Sequence, residues 1–178
     1  MEFKISREFL SEIEQLISEN KSQELLLLLE DIHFADIAEI MEELDDYGAA
    51  YIFNTLDSEK TAEILLELDD EVREKILRNL SPKEIAEELD ELSTDDAADI
   101  IAELPQHKKE QVISELEDVE HAKDIVDLLR YDEDTAGGLM GKELVKVNEN
   151  WNVLTCVKEM RLQAENVSRV HSIYVIDD

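Results

Sequence analysis

The sequence lacks several features that would place it in well-known classes of protein. It has one cysteine, Cys156, so neither a disulfide framework nor a thiolate metal site can form within a single chain. Its longest aliphatic run, Leu25 to Leu29, is far too short to cross a lipid bilayer. The first residues, Met1 to Lys4, do not resemble a secretory signal peptide. These absences predict a chain that folds outside the membrane in a reducing compartment.

Positive charge is also scarce. The chain has 17 Lys and Arg against 47 Asp and Glu, which gives a net charge of -30. Nucleic acids and anionic lipids would be repelled, so both are excluded as partners, whereas cations are favoured. The alternative is that the acids only form a solvated surface. The excess is uneven, because residues 141–178 carry a net charge close to zero while the preceding part holds nearly all of it.

Catalytic motifs are missing as well. The sequence has no nucleophile–base motif, no phosphate-binding glycine loop and no HExxH pair. None of its histidines is paired at the spacing of metal ligands. The four histidines are His33, His107, His121 and His171. We therefore expect no enzyme activity, no catalytic residues and no cofactor-binding residues.

What the sequence does contain is an internal repeat of twelve residues. A leucine recurs at this interval, an apolar residue stands three positions before it, and an alanine usually stands six positions before it. Repeats of this kind indicate a stack of identical structural units. The leucines in phase are Leu44, Leu56, Leu68, Leu80, Leu92, Leu104, Leu116 and Leu128.

One continuous helix would not bring these leucines together, because twelve residues rotate a helical position by about 120°. The chain should therefore break after each leucine, where helix-capping residues such as Asp45, Asp57 and Ser93 stand. Ser81 to Glu84 combines a capping serine, a proline and a capping-box glutamate. The pattern predicts helices of about eight or nine residues, which pair into hairpins and stack into a superhelix. Residues 5–30 are predicted to add one or two longer helices that cap the stack.

Beyond residue 140 the pattern changes to strands. A strand is predicted at Leu144–Val147, a helix at Val153–Gln163 with Asn152 as its N-cap, and a strand at Ser172–Ile176. Trp151 is expected to anchor the core of this unit. So short a strand–helix–strand unit leaves sheet edges unpaired, so we expect the sequence to stop inside a domain. The joint between the two parts is Asp134–Met140, which contains Gly137 and Gly138.

Together these features resemble a known family. The acidic helical repeats, the stretch Tyr131–Met140 with its Thr-Ala-Gly-Gly-Leu-Met sequence, and the strand–helix–strand unit resemble the cytosolic region of MgtE-type magnesium transporters. The resemblance covers the whole chain but only the first half of the first CBS motif. Gly141 departs from the pattern, which has threonine or a similar polar residue there.

The resemblance implies a mainly α fold, with a right-handed superhelix of short stacked helices followed by a truncated α/β CBS unit. It implies an acidic helical-repeat domain at 1–130, a linker at 131–143 and a partial CBS domain at 144–178. In the full-length protein it also implies the rest of the CBS pair, a transmembrane pore domain and a homodimer. The chain would then lie on the cytoplasmic side of the cell membrane.

The resemblance also implies a function and a site. It predicts a magnesium-sensing regulatory region that binds Mg²⁺ through carboxylates between the helical and CBS domains, and so gates the pore. The metal ligands carried over to this sequence are Glu63, Asp95, Asp99 and the backbone carbonyl of Gly138.

The residues themselves support this site in part. Asp95 and Asp99 are four residues apart, so they share one face of a helix. Mg²⁺ prefers oxygen ligands and keeps several waters, so one or two carboxylates and a carbonyl suit it. The alternative is that Asp95 merely favours the helix dipole at a helix start, and that Glu63 is a solvated residue.

A second interpretation of the whole chain belongs to another class of protein. Stacked acidic helices also suit a protein–protein interaction scaffold, similar to the rotor switch proteins of flagella. In that case the acidic face would meet a basic partner. A scaffold has no need of a strand–helix–strand unit, so this unit distinguishes the two interpretations.

Overall fold

The protein is described from a computed structural model that covers residues 5–132, 135–164, 167, 170 and 172–177. Asp134, which is the first residue of the joint, and its neighbour Glu133 lie outside the described residues, as do Met1 to Lys4 and His171. Within the described part there are eleven α-helices and a two-stranded sheet. The mainly α class predicted from the repeat, with a small α/β part after it, is therefore confirmed.

The helices before the joint are short and follow one another closely. The first two are α1 (Arg7–Ser18) and α2 (Ser22–Leu29), of which only α1 is longer than the helices of the repeat. The eight helices of the repeat are α3 (Phe34–Glu43), α4 (Asp46–Phe53), α5 (Ser58–Glu67), α6 (Asp70–Asn79), α7 (Pro82–Leu89), α8 (Thr94–Glu103), α9 (Gln106–Glu115) and α10 (Val119–Leu128).

The chain forms two compact units. The first contains Met1–Leu92 and Glu103–Leu116, and the second contains Ser93–Ala102 and Glu117–Asp178. In the first unit α3 packs on α5, α5 on α7 and α7 on α9, while α4 packs on α1, α3 and α6. The domain limits deduced from the sequence, 1–130 and 144–178, stay a prediction.

The phase of the repeat matches the burial of its side chains. Five of the eight leucines are buried, at 68, 92, 104, 116 and 128, and Leu44, Leu56 and Leu80 are half-buried. The apolar residues three positions earlier lie deeper, since seven of the eight are buried. These seven are Met41, Phe53, Leu65, Leu77, Leu89, Ile101 and Ile125.

The helix starts are set by side chains close in sequence. The Asp45 and Asp57 carboxylates accept hydrogen bonds from the backbone N–H groups of Gly48 and Lys60, at 2.7 and 3.0 Å. Ser81 and Glu84 form the reciprocal capping box that the sequence predicts. Each cap satisfies N–H groups that have no partner within their own helix.

Two helix ends are contacted by lysine side chains from later helices. With only four glycines in the chain, left-handed C-caps are scarce. Lys60 Nζ donates to the carbonyls of Leu29 and Glu30 at the end of α2. Lys108 Nζ donates to the carbonyls of Leu77 and Leu80 at the end of α6, both at 2.7 Å. A lysine on a later helix thus neutralises the negative end of an earlier one.

The second unit contains the strand–helix–strand segment. Strand β1 (Val145–Asn148) and strand β2 (Ile173–Ile176) pair in parallel, with α11 (Val153–Gln163) between them in the chain. Asn152 caps α11 by accepting from the Thr155 N–H at 3.0 Å, as predicted. Trp151, expected to be a core anchor, is 41% exposed, so that prediction is wrong. Val145 and Val147 are the buried residues of β1.

A helix that crosses a bilayer must be both long and apolar. None of the described helices is both long enough and apolar enough to cross a membrane.

Candidate metal centre

Two of the predicted metal ligands lie on α8. Asp95 is half-buried in its first turn, and Asp99 is exposed one turn further along the same helix. Residues four apart share a helix face, so the two carboxylates lie on the same side of α8. The chemistry of this donor pair fits Mg²⁺, which takes one or two carboxylates and completes its shell with water.

The other two predicted ligands lie on different elements. Glu63 is exposed on α5, in the first unit. Gly138 belongs to a turn within the joint, in the second unit, where its N–H donates to Thr135 Oγ1 at 3.3 Å. Among the described residues, no three His, Cys, Asp or Glu side chains are grouped closely enough to hold a metal ion. The complete ligand set therefore stays a prediction.

The double glycine of the joint has a packing role. A β-carbon added to Gly137 would lie 2.3 Å from Tyr131 Cδ1 and 2.6 Å from its Cγ. The aromatic ring thus approaches the backbone at a distance that only glycine allows without a shift of the ring. Among the described glycines none has a positive φ, so the requirement at Gly137 is space rather than backbone angle.

The start of α8 is held by a residue from beyond the joint. The Thr94 N–H donates to Glu143 Oε1 at 2.7 Å, and Thr94 Oγ1 donates to Glu143 Oε2 at 3.0 Å. Thr94 is only 3% exposed. Ser93, predicted as a cap, donates its hydroxyl to the Asp96 carboxylate at 2.6 Å. A carboxylate at a helix N-terminus is favoured by both the free N–H groups and the helix dipole.

The neighbouring residue provides a second anchor. Lys142 Nζ contacts Asp127 Oδ2 on α10 at 2.7 Å, and the Lys142 N–H donates to Thr94 Oγ1 at 3.2 Å. The bond to Lys142 lowers the pKa of Asp127, and the bond to Asp127 raises the pKa of Lys142. Residues 142 and 143 thus contact both α8 and α10.

Sequence reasoning missed one further acid, in the first unit. Glu88 Oε2 on α7 lies 2.5 Å from Oγ1 of Thr61 on α5, and Thr61 is 1% exposed. Burial raises the pKa of Glu88 to about 7, helped by the charges of Glu87, Glu91 and Asp57 and opposed by the hydrogen bond from Thr61. Glu88 is thus poised to change its charge near neutral pH.

A signal for Glu88 was present in the repeat. It stands four positions before its leucine, where most other repeats have an isoleucine or a valine. An acid in a register of apolar residues marks a buried or half-buried charge that needs a partner. The apolar residues in this register are Ile40, Ile52, Ile64, Ile76, Ile100 and Val112, all of them buried.

A family of known proteins matches the helical part of the chain. The model of the MgtE intracellular N domain matches residues 32–134, which include α3 to α10 and more than half of the chain. Comparison with curated proteins gave no match.

Two solved structures have similar folds. One is the crystal structure of the soluble part of a magnesium transporter, at 24% identity and a TM-score of 0.76. The other is the crystal structure of the cytosolic domain of the Mg²⁺ channel MgtE in complex with ATP, at 31% identity and a TM-score of 0.82. The matches cover 95% of this chain, and it spans 66% and 69% of theirs.

Proposed function

The chain belongs to the family of MgtE intracellular N domains, and from this membership we propose that it is a magnesium-sensing regulatory region of a magnesium channel or transporter. The observation that carries the proposal is the pair Asp95 and Asp99, one turn apart on one face of α8 within the matched segment. In this proposal Glu63 and the carbonyl of Gly138 complete the site.

The chemistry of sensing follows from like charges. Two carboxylates four residues apart on a helix repel each other by roughly 0.2–0.5 kcal/mol, and a divalent cation between them removes this cost. The wider excess of acids adds a long-range attraction for cations. Several weak carboxylate sites suit an abundant ion such as cytosolic Mg²⁺ better than one tight site.

Gating requires that the ion prefers one state of the protein. A ligand shifts an equilibrium only by its difference in affinity between the two states. We take the favoured state to be a compact one, in which carboxylates of the helical and CBS domains share Mg²⁺ and the pore is closed. At low Mg²⁺ their repulsion separates the domains, with Gly137 and Gly138 as the hinge. The proposed setting is the cytoplasmic face of a membrane, in a homodimer that carries the complete CBS pair and the pore.

The interpretation as a helical interaction scaffold has less support. It predicts no strand–helix–strand unit, whereas β1, α11 and β2 form one. The similarity to the cytosolic domain of the Mg²⁺ channel MgtE also favours the regulatory role.

The first test is a Mg²⁺ titration of this chain at constant ionic strength, followed by backbone NMR. We expect saturable shifts at the amides of α8, and the double variant Asp95→Asn, Asp99→Asn should weaken the apparent affinity by about tenfold or more, since ligand charge sets cation affinity.

The matched control is Glu39→Gln, Glu43→Gln. It removes two exposed acids that are also four residues apart on one helix, α3. Equal weakening by both double variants would mean that Mg²⁺ responds only to overall charge, and would remove Asp95 and Asp99 from the site.

The second test uses the full-length channel. With Asp95→Ala and Asp99→Ala together, closure should need more cytosolic Mg²⁺, while conduction through the open pore should be unchanged. An unaltered Mg²⁺ dependence of closure would return the two aspartates to the ordinary role of helix acids.

A further inference from the structure

Helix α8 receives its cap from far along the chain. The bidentate contact of Glu143 with the Thr94 N–H and hydroxyl joins residues 49 positions apart. Other helices of the chain, such as α4 and α5, are capped by the residue that directly precedes them. Since Thr94 is buried, loss of Glu143 would leave its N–H without a partner away from water. The first turn of α8 therefore depends on the segment that follows the joint.

The same segment leads directly into the sheet. Glu143 stands two residues before β1, whose first residue, Val145, is 3% exposed. Lys142 fixes the segment to α10 through Asp127. A displacement of Glu143 would therefore disturb both its contact with α8 and the position of the first residues of β1.

Asp95, the candidate ligand, lies beside this contact. A β-carbon placed on Gly141 would be 3.6 Å from Asp95 Oδ1 and 3.6 Å from Glu143 Oε2. The two carboxylates therefore flank the same short piece of backbone. Their charges repel, so a cation bound at Asp95 reduces the repulsion that Glu143 meets in its capping position.

We propose that Glu143 is a positioning residue: it holds the first turn of α8, and with it Asp95, in the arrangement that binds the cation, and it links that binding to β1. This rests on the proposed magnesium-sensing function. Coupling between two sites is reciprocal, so an intact Glu143 contact tightens cation binding at α8 and cation binding strengthens the contact.

The test uses the complete 178-residue chain in four forms: unaltered, Glu143→Ala, Glu143→Gln and the control Glu149→Ala. Glu149 is an exposed glutamate just after β1, so its removal changes the net charge equally without touching α8. Two quantities are measured by NMR. They are hydrogen exchange of the Thr94 amide without Mg²⁺, and the dissociation constant for Mg²⁺ from the shifts of the α8 amides.

Glu143→Ala should speed exchange of the Thr94 amide by about tenfold or more, because a buried donor loses its acceptor. It should also raise the Mg²⁺ dissociation constant at α8 several times more than Glu149→Ala does. Glu143→Gln keeps an acceptor oxygen, so it should restore part of the protection and part of the affinity. If Glu143 were only a structural cap, Glu143→Ala would speed exchange of the Thr94 amide and leave the Mg²⁺ affinity unchanged.

Two results overturn the proposal alone. One is unchanged Thr94 exchange in Glu143→Ala, and the other is faster exchange with a Mg²⁺ affinity equal to that of Glu149→Ala. A third result, an unaltered chain whose α8 amides do not respond to Mg²⁺, overturns the proposed function and this coupling together. Near-identical amide spectra far from α8 verify that each variant is folded.

Discussion

The hydroxyl of Thr61 lies between two oxygen atoms that can accept its single proton. Thr61 Oγ1 lies 2.9 Å from the Asp57 carbonyl oxygen and 2.5 Å from Glu88 Oε2. A hydroxyl has one proton to donate, and a carbonyl oxygen can only accept. When Glu88 is ionised, the Thr61 proton can go either to the Glu88 carboxylate or to the Asp57 carbonyl, and only a protonated Glu88 lets both contacts be hydrogen bonds at once. A hydrogen bond from Thr61 to the ionised carboxylate opposes the rise in the pKa of Glu88, so burial is the main cause of the raised value.

This residue makes stability depend on pH in a definite direction. The pKa of Glu88 is about 7 in the folded chain, above its ordinary value near 4.5. Between these two values the folded state binds more protons than the unfolded state, so the free energy of unfolding falls as pH rises. Above pH 7 the free energy of unfolding falls no further on account of Glu88, and below pH 4.5 Glu88 contributes no pH dependence.

The variant Glu88→Gln should remove this dependence. It keeps a donor for Thr61 without a charge, so it should raise the thermal midpoint at pH 8 by a few degrees, at about 2–4 °C for each kcal/mol. At pH 5 it should change the midpoint little. The measurement is thermal unfolding by circular dichroism at both pH values. Glu110→Gln on an exposed site of α9 is the control, and equal gains in both variants would contradict a specific role for Glu88.

At the scale of the elements, the helices before the joint are too short to be stable alone. Isolated helices of fewer than about 12–15 residues are marginal in water, so helices of 8 to 10 residues must be held by packing and by their ends. The lysine contacts at the ends of α2 and α6 serve this purpose. The ammonium group of Lys108 is partly withdrawn from water, and this burial lowers its pKa.

Loss of Lys108 should destabilise the end of α6. Lys108→Met keeps the aliphatic stem and removes the charged donor to two carbonyls, so it should cost about 1.5–3 kcal/mol. Chemical denaturation measures the change. Lys123→Met, which removes a charge from an exposed position on α10, should cost far less. Similar costs for both would show that charge, not the carbonyl contact, is what matters at Lys108.

At the scale of the whole molecule, repulsion between acids opposes folding. A net charge of -30 on 178 residues is large enough for self-repulsion to lower the stability of the compact state. Ion pairs such as Arg73 with Glu103, at 2.9 Å, offset only a small part of this excess. Salt should therefore stabilise the chain without binding to any particular site.

Raising KCl from low to moderate concentration should raise the thermal midpoint, because the Debye length falls from about 30 Å at 0.01 M to about 10 Å at 0.1 M. Mg²⁺ at matched ionic strength should add a further rise if it binds the folded chain, by mass action. Thermal unfolding in the two salts separates the two effects. A midpoint insensitive to KCl would show that the acids are too far apart to repel.

Much of the fold was accessible from the sequence alone, because the determining interactions are local. The twelve-residue period placed the buried residues, and the caps Asp45, Asp57 and Ser81 placed helix starts. Helix α11 begins and ends as predicted, with Asn152 as its cap. A cap and the N–H that it binds lie within about three residues, and residues on one helix face lie three or four apart, so a sequence contains both partners side by side.

Only the tertiary structure decided which residues far apart in the chain contact each other. Nothing near Thr94 indicates that Glu143 caps α8, nothing near Lys108 points to the end of α6, and Trp151 is exposed where its size suggested burial. Which donor meets which acceptor at these distances depends on how the elements pack. Asp95 and Asp99 could be paired from sequence because one helix carries both, whereas the Glu143 carboxylate reaches Thr94, next to Asp95, only once the segment after the joint has packed against α8.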